Sequence, residues 1–207
     1  MAVELTKGTK ISLTKPDKRK GLGEIVVNLK WNQGSPKKKG FFAALISDQK
    51  GGGGIDLDLG CLFELTDGSK GAVQALGNSF GNLNEAPFVS LDGDDRTGES
   101  AEGETLRING NMIANIKRIL VYTFIYEGAA NWQQTDGIVT IKYPGNEDIV
   151  VRLDEYGSNL SMCGLVFFEN QKNETFSVEK QVKFFNGHEA LDRAFGWGMQ
   201  WVSGKKD

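Results

Sequence analysis

The chain has 207 residues, 39% of them hydrophobic and 10% aromatic, with a formal charge of −3. That is enough apolar material for one folded domain spanning 1–207, and it excludes wholesale disorder. No apolar run reaches signal-peptide or membrane-span length, so the expectation is a cytoplasmic protein without an integral membrane segment.

In chain order, Thr9 to Thr14 reads as a first short strand, and Glu24 to Trp31 as a second with Ile25, Val27, Leu29 and Trp31 on one face. Between and after them lie Lys15–Lys20 and Lys37–Lys39. No aromatic residues interleave with these lysines, so they read as solvated loops and not as a nucleic-acid platform. Asn32 to Gly40 is a loop, Phe41 to Ser47 is apolar but ambiguous in type, and Gly51 to Gly54 is the most permissive backbone in the chain.

Ile55 to Leu65 is the clearest strand. Side chains alternate across a strand, so Ile55, Leu57, Leu59, Cys61, Phe63 and Leu65 share one face while Asp56 and Asp58 share the other. Asp67-Gly68 signals a hairpin turn, with Ala72 to Leu76 returning. Residues 85–104 then hold seven acids against the single base Arg96.

Thr105 to Ile108 follows as a strand and Met112 to Lys117 as one helical turn. Arg118 to Glu127 is apolar on both faces, the mark of a central strand covered on both sides. Ile138–Tyr143 and Asp148–Leu153 form a hairpin around Pro144-Gly145-Asn146, and Leu160–Glu169 pairs with Thr175–Phe185. His188 to Phe195 is a short helix ended by Gly196, where a surface role is expected for His188. About ten evenly spaced strands with one or two short helices predict an all-β sandwich of two mostly antiparallel sheets. Cys61 and Cys163 sit in apolar runs and read as buried thiols, not nucleophiles or a disulfide.

Clustered acids repel one another, and a divalent cation removes that repulsion. Calcium takes roughly six to eight oxygen ligands, whereas softer metals want the histidine and thiolate this chain lacks in number. Counting from Asp92 as the first position, Thr97 stands where an EF-hand needs glycine and Gly103 where it needs glutamate. Any calcium site is therefore assembled from several loops. A catalytic carboxylate pair is disfavoured, because a general acid wants an apolar pocket and this cluster is polar. No phosphate-cradling glycine loop with its lysine is present. The expected protein is not an enzyme. An alternative is a calcium-dependent carbohydrate- or small-ligand-binding sandwich with Trp132, in the loop after Glu127, as an exposed aromatic, although packing of Trp132 against the sandwich edge is the favoured reading.

Three stretches carry a family resemblance: Asp56-Leu57-Asp58, Gly77-Asn78-Ser79-Phe80-Gly81-Asn82 and Gly93-Asp94-Asp95-Arg96-Thr97-Gly98-Glu99. With the opening Val3-Glu4-Leu5-Thr6-Lys7-Gly8, they resemble the TerD family of tellurite-resistance and general stress proteins. The ending, Phe184-Phe185 and Ala194-Phe195-Gly196-Trp197-Gly198, resembles the TerA-like branch. The resemblance implies a calcium-binding β-sandwich holding one or two ions, acting with other proteins of a stress-response complex. The ligand positions it implies are Asp56, Asp58, Asn82, Asp94, Asp95, Glu99, Glu104 and Glu127. Asp95 stands where the family often has Asn, and Ser100 to Thr105 closes the loop with fewer acids than the family pattern.

Overall fold

The structure is a computed structural model that describes residues 3–4, 8, 10–13, 15, 21–31, 55–93, 103–129 and 131–204. Its strands in chain order are β1 (Val3–Glu4), β2 (Lys10–Ser12), β3 (Glu24–Lys30), β4 (Asp56–Leu65), β5 (Lys70–Gln74), β6 (Gly81–Asn82) and β7 (Val89–Leu91). There follow β8 (Glu104–Asn109), β9 (Ile116–Glu127), β10 (Ile138–Lys142), β11 (Ile149–Arg152), β12 (Met162–Gln171) and β13 (Thr175–Phe185), then the helix α1 (His188–Phe195). They form one seven-stranded sheet, β1-β11-β10-β3-β8-β7-β6, and one six-stranded sheet, β2-β13-β12-β9-β4-β5. The pairings are antiparallel except for β1 with β11. The two-sheet expectation holds. Among the described residues no helix is long and apolar enough to cross a membrane.

The interior between the sheets takes one residue in two from each strand, as alternation demands. Ile25, Val27 and Leu29 of β3, Leu106 and Ile108 of β8, and Val139 and Ile141 of β10 meet Leu57, Leu59 and Cys61 of β4 and Ile119 and Val121 of β9. Burial pushes the Cys61 thiol up to about 12, and both cysteines are free and buried. That agrees with their reading as small core hydrophobes.

The six-stranded sheet is buried on its second face too. There Leu62, Leu120, Tyr122, Phe124 and Met162 lie beneath Leu191 and Trp197 of the C-terminal segment. This is why β9 reads apolar on both faces. A helix as short as α1 is unstable alone, so its packing holds it: Leu191 is fully buried, a contribution of roughly 1.5–3 kcal/mol. Glu189 in its first turn and Arg193 in its last complement the helix dipole. It ends at Gly196, whose backbone is left-handed, as expected.

A clasp of charged groups seats the segment beyond the helix. The Arg118 guanidinium donates to Glu64, to the Phe195 carbonyl and to the Gly196 carbonyl, and lies 3.9 Å from the centre of the Trp197 ring. Lys70 Nζ donates to the Trp197 carbonyl, and Trp197 Nε1 donates to the Phe63 carbonyl. Burial opposes ionisation of Glu64, but hydrogen bonds from Lys117 and Arg118 outweigh it and hold its carboxyl below the usual range.

Several boundaries differ from expectation. The strand after the Asp67-Gly68 turn is Lys70–Gln74, not Ala72–Leu76, because residues 75–78 turn so that Gln74 bridges back to Ser79. The short β1, β6 and β7 were not expected, since two or three residues carry no period to read. The turn before β9 is a 3-10 helix at Gly110–Asn115. Phe41 to Ser47 and Gly51 to Gly54 lie outside the described residues.

Candidate metal centre

β4 carries Asp56 and Asp58 as its alternation predicts. Register places Asp58 opposite Phe124 and Asp56 opposite Glu127, with a bulge between Asp56 and Leu57. Directly opposed residues share a face, so both aspartates lie on the outer face of the six-stranded sheet. They are nevertheless buried, Asp58 at 0% exposure and Asp56 at 2%. Carboxylates are rarely buried without compensation by a paired charge or a metal. Glu127, across the pair from Asp56, is exposed.

Glu104 reaches the same strand from the other sheet. It opens β8 opposite Leu29, points inward at 2% exposure, and its Oε2 accepts the Leu59 N–H at 2.6 Å. That N–H is available because β5 ends its pairing at Gly60–Gln74, one residue short of Leu59. Gly103, just before it, has φ +66 and no room for a side chain, since a Cβ there would lie 2.1 Å from the Leu29 carbonyl oxygen. Only glycine lets the acidic stretch enter β8 so close to β3.

Asn82 is committed locally. It lies exposed on the edge strand β6, where its Oδ1 accepts the N–H groups of Asn84 at 2.8 Å and Glu85 at 3.1 Å. Asp92 is likewise engaged, paired with Arg107 at 2.7 Å, while Arg107 also bridges to Glu24 at 2.6 Å. Asp94, Asp95 and Glu99 lie outside the described residues. Among the described residues no three His, Cys, Asp or Glu gather closely enough to hold a metal ion. What the described residues bring together is narrower: Asp56 with Glu127 in one cross-strand pair, Asp58 beside it, and Glu104 at the open edge of the same strand. All are hard oxygen donors, the type calcium takes.

Trp132 is packed, as favoured over an exposed role: it is fully buried and donates from Nε1 to the Leu160 carbonyl at 2.7 Å, so it is no wall for a sugar beside Glu127. One residue stands elsewhere than expected. His188 is half-buried, its ring 5.1 Å from Phe124, 5.5 Å from Tyr122 and 4.9 Å from Trp201, with burial lowering its pKa. Nothing in the helical pattern of His188–Phe195 signals that its first residue caps the aromatic face beside Asp58. Burial, followed by the neighbouring Cys61 and Asp58 charges, pushes the Tyr122 hydroxyl well up.

The chain matches the TerD domain over residues 1–143. It is 43% identical over 204 residues to the tellurium resistance protein TerA of an Alcaligenes species, covering 96% of this chain and 59% of that protein. The chain thus spans under two thirds of this relative's length. Among solved structures, a homologue of the telluride resistance protein TerD from Streptomyces coelicolor superposes with a TM-score of 0.57 at 16% identity, covering 83% of this chain and 95% of that one. A protein of unknown function superposes equally, with a TM-score of 0.57 at 14% identity over 87% of this chain and all of that one. These two likenesses concern the fold. By its domain match and its 43% identity to a TerA protein, the chain belongs to the TerD family of tellurite-resistance proteins.

Proposed function

We propose that the chain is a non-enzymatic, calcium-binding stress-response protein of the cytoplasm, whose cation fixes a surface for partner proteins of a tellurite-resistance complex. The observation that carries this reading is the burial of Asp56 and Asp58 at 2% and 0% exposure on the strand end that Glu127 and Glu104 also approach. Two adjacent carboxylates removed from water favour a divalent cation strongly. Asp56 and Asp58 would contribute two carboxylates to it, and the acidic stretch from Asp94 to Glu99 would complete its oxygen shell. The cation supplies charge neutralisation and a fixed loop conformation. A site that forms only in the folded chain stabilises it in proportion to occupancy.

The test is the melting temperature of chelator-treated protein titrated with calcium, against magnesium as control. A calcium-specific rise is expected, and it is lost in the double variant Asp56→Asn, Asp58→Asn. An undiminished rise in that variant removes the pair from the site, and no rise in the parent protein removes the calcium reading.

A further inference from the structure

The C-terminal segment does more than cover the six-stranded sheet. Between it and the β5–β6 turn runs a cleft of about 850 Å³, within the roughly 300–1,000 Å³ usual for small-ligand sites. Its floor is Gln74 and His188, its wall Trp201, and its rim Glu189 and Arg193. Two neighbouring clefts, of about 730 and 500 Å³, also border Trp201. The half-buried indole thus stands as a partition among three open spaces.

Hydrogen bonds fix the floor and the wall in advance. Gln74 Oε1 accepts the Tyr122 hydroxyl at 2.6 Å and lies 2.9 Å from His188 Nε2. An amide oxygen only accepts, so His188 donates from Nε2, and Nδ1 is the acceptor nitrogen of the neutral ring. Buried Asp192 holds the indole by accepting Trp201 Nε1 at 3.1 Å, together with the Gly198 N–H at 2.7 Å and the Met199 N–H at 3.0 Å. The rim pair is exposed on α1, and no ion pair joins Glu189 to Arg193 among the described residues.

We infer that this cleft binds a neutral polyhydroxylated ring, a sugar or a closely related polyol. Donors (the Arg193 guanidinium, the Gln74 amide) and acceptors (the Glu189 carboxylate, the His188 ring nitrogen) are mixed, and the formal charge of the lining cancels. Such a lining suits hydroxyl groups, each of which donates and accepts. It opposes a phosphorylated ligand, because Glu189 offsets Arg193. The indole offers its apolar surface to the C–H face of the ring, leaving the hydroxyls to the polar groups. The site shares no residue with Asp56, Asp58, Glu104 or Glu127, so it works without a cation.

The test is saturation-transfer NMR and calorimetric titration of the intact chain with methyl glucoside, methyl galactoside and methyl mannoside, with glucose 6-phosphate as the charged counterpart. At least one neutral glycoside binds saturably, and excess chelator leaves the affinity unchanged. Trp201→Ala weakens binding about tenfold, the scale of one lost stacking contact or charge-assisted hydrogen bond. Because Trp201→Ala can also loosen the tail, Glu189→Gln and Arg193→Met, on the exposed face of α1, are measured beside it. They weaken binding by a similar factor while the circular dichroism spectrum stays at that of the parent and the melting temperature falls only slightly, as loss of one helix-dipole charge requires. Absence of binding by all three glycosides overturns the inference. So do unchanged affinity in the rim variants, preference for glucose 6-phosphate, and loss of binding in chelator.

Discussion

Tyr122 shows how single contacts organise the outer face. Its ring lies over Gly60, where a Cβ would come within 2.7 Å of it, and its hydroxyl holds Gln74 at 2.6 Å. Gly60→Ala therefore forces the ring off its seat and costs about 1–3 kcal/mol, read as a lower midpoint in urea. Tyr122→Phe keeps the ring and loses one hydrogen bond. Since Gln74 Oε1 still has His188, the cost is about 1 kcal/mol. A loss from Tyr122→Phe as large as that from Gly60→Ala would show that the hydroxyl, not the ring, secures this face. His188 gives the face a pH dependence. Its folded-state pKa is lowered from 6.5 by burial, so the unfolded chain takes up a proton first. The stability from its neutral packing is present above about 6.5 and is lost as pH falls toward the lower folded value. Melting temperatures measured down through that window fall more steeply in the parent than in His188→Gln.

At the scale of the element, the clasp around Arg118 decides whether α1 and its tail stay docked. One guanidinium joins Glu64, two main-chain carbonyls and an indole face, while Glu64 keeps Lys117 at 2.6 Å. Arg118→Ala therefore costs about 1.5–3 kcal/mol, the range of one charge-assisted bond, and not the penalty of an orphaned buried charge. Limited trypsin digestion then cuts after Arg193 faster than in the parent. An unchanged rate would mean that Leu191 and Trp197 hold the tail without the clasp. Much of this was legible in the residues and some was not. Alternation in Ile55 to Leu65 assigned Asp56 and Asp58 to one face, and the two-sided apolar run to Glu127 announced a covered strand. The partner that covers it could not be read, because Leu191 and Trp197 follow β9 by more than sixty residues and meet it only in the folded chain. Glu104 reaching the Leu59 amide is of the same kind, since it depends on how two sheets stack. Asn82 entered only as a ligand position implied by the family resemblance, and nothing in its neighbours announced that its side chain closes its own turn on Asn84 and Glu85.

The whole molecule is larger than the stretch its family domain matches. That stretch ends at residue 143, yet β12 and β13 lie inside the six-stranded sheet, between β9 and β2. A chain of residues 1–143 leaves one edge of β9 without a partner and uncovers Leu62, Leu120 and Phe124. It is expected to aggregate or to bind the dye ANS, while residues 1–204 stay monodisperse in gel filtration. A folded, dye-silent 1–143 fragment would show that the second half of the sheet is dispensable. One tie on the opposite side has a practical consequence. Trp31 Nε1 donates to the Ile55 carbonyl at 2.7 Å, so the chain leaves β3 and re-enters β4 at a single pinned point. Trp31 and Ile55 are thus adjoining ports: a brief Gly-Ser bridge is long enough to join them, and a protein carrying it is expected to keep the pairing of β3 with β8 and of β4 with β9.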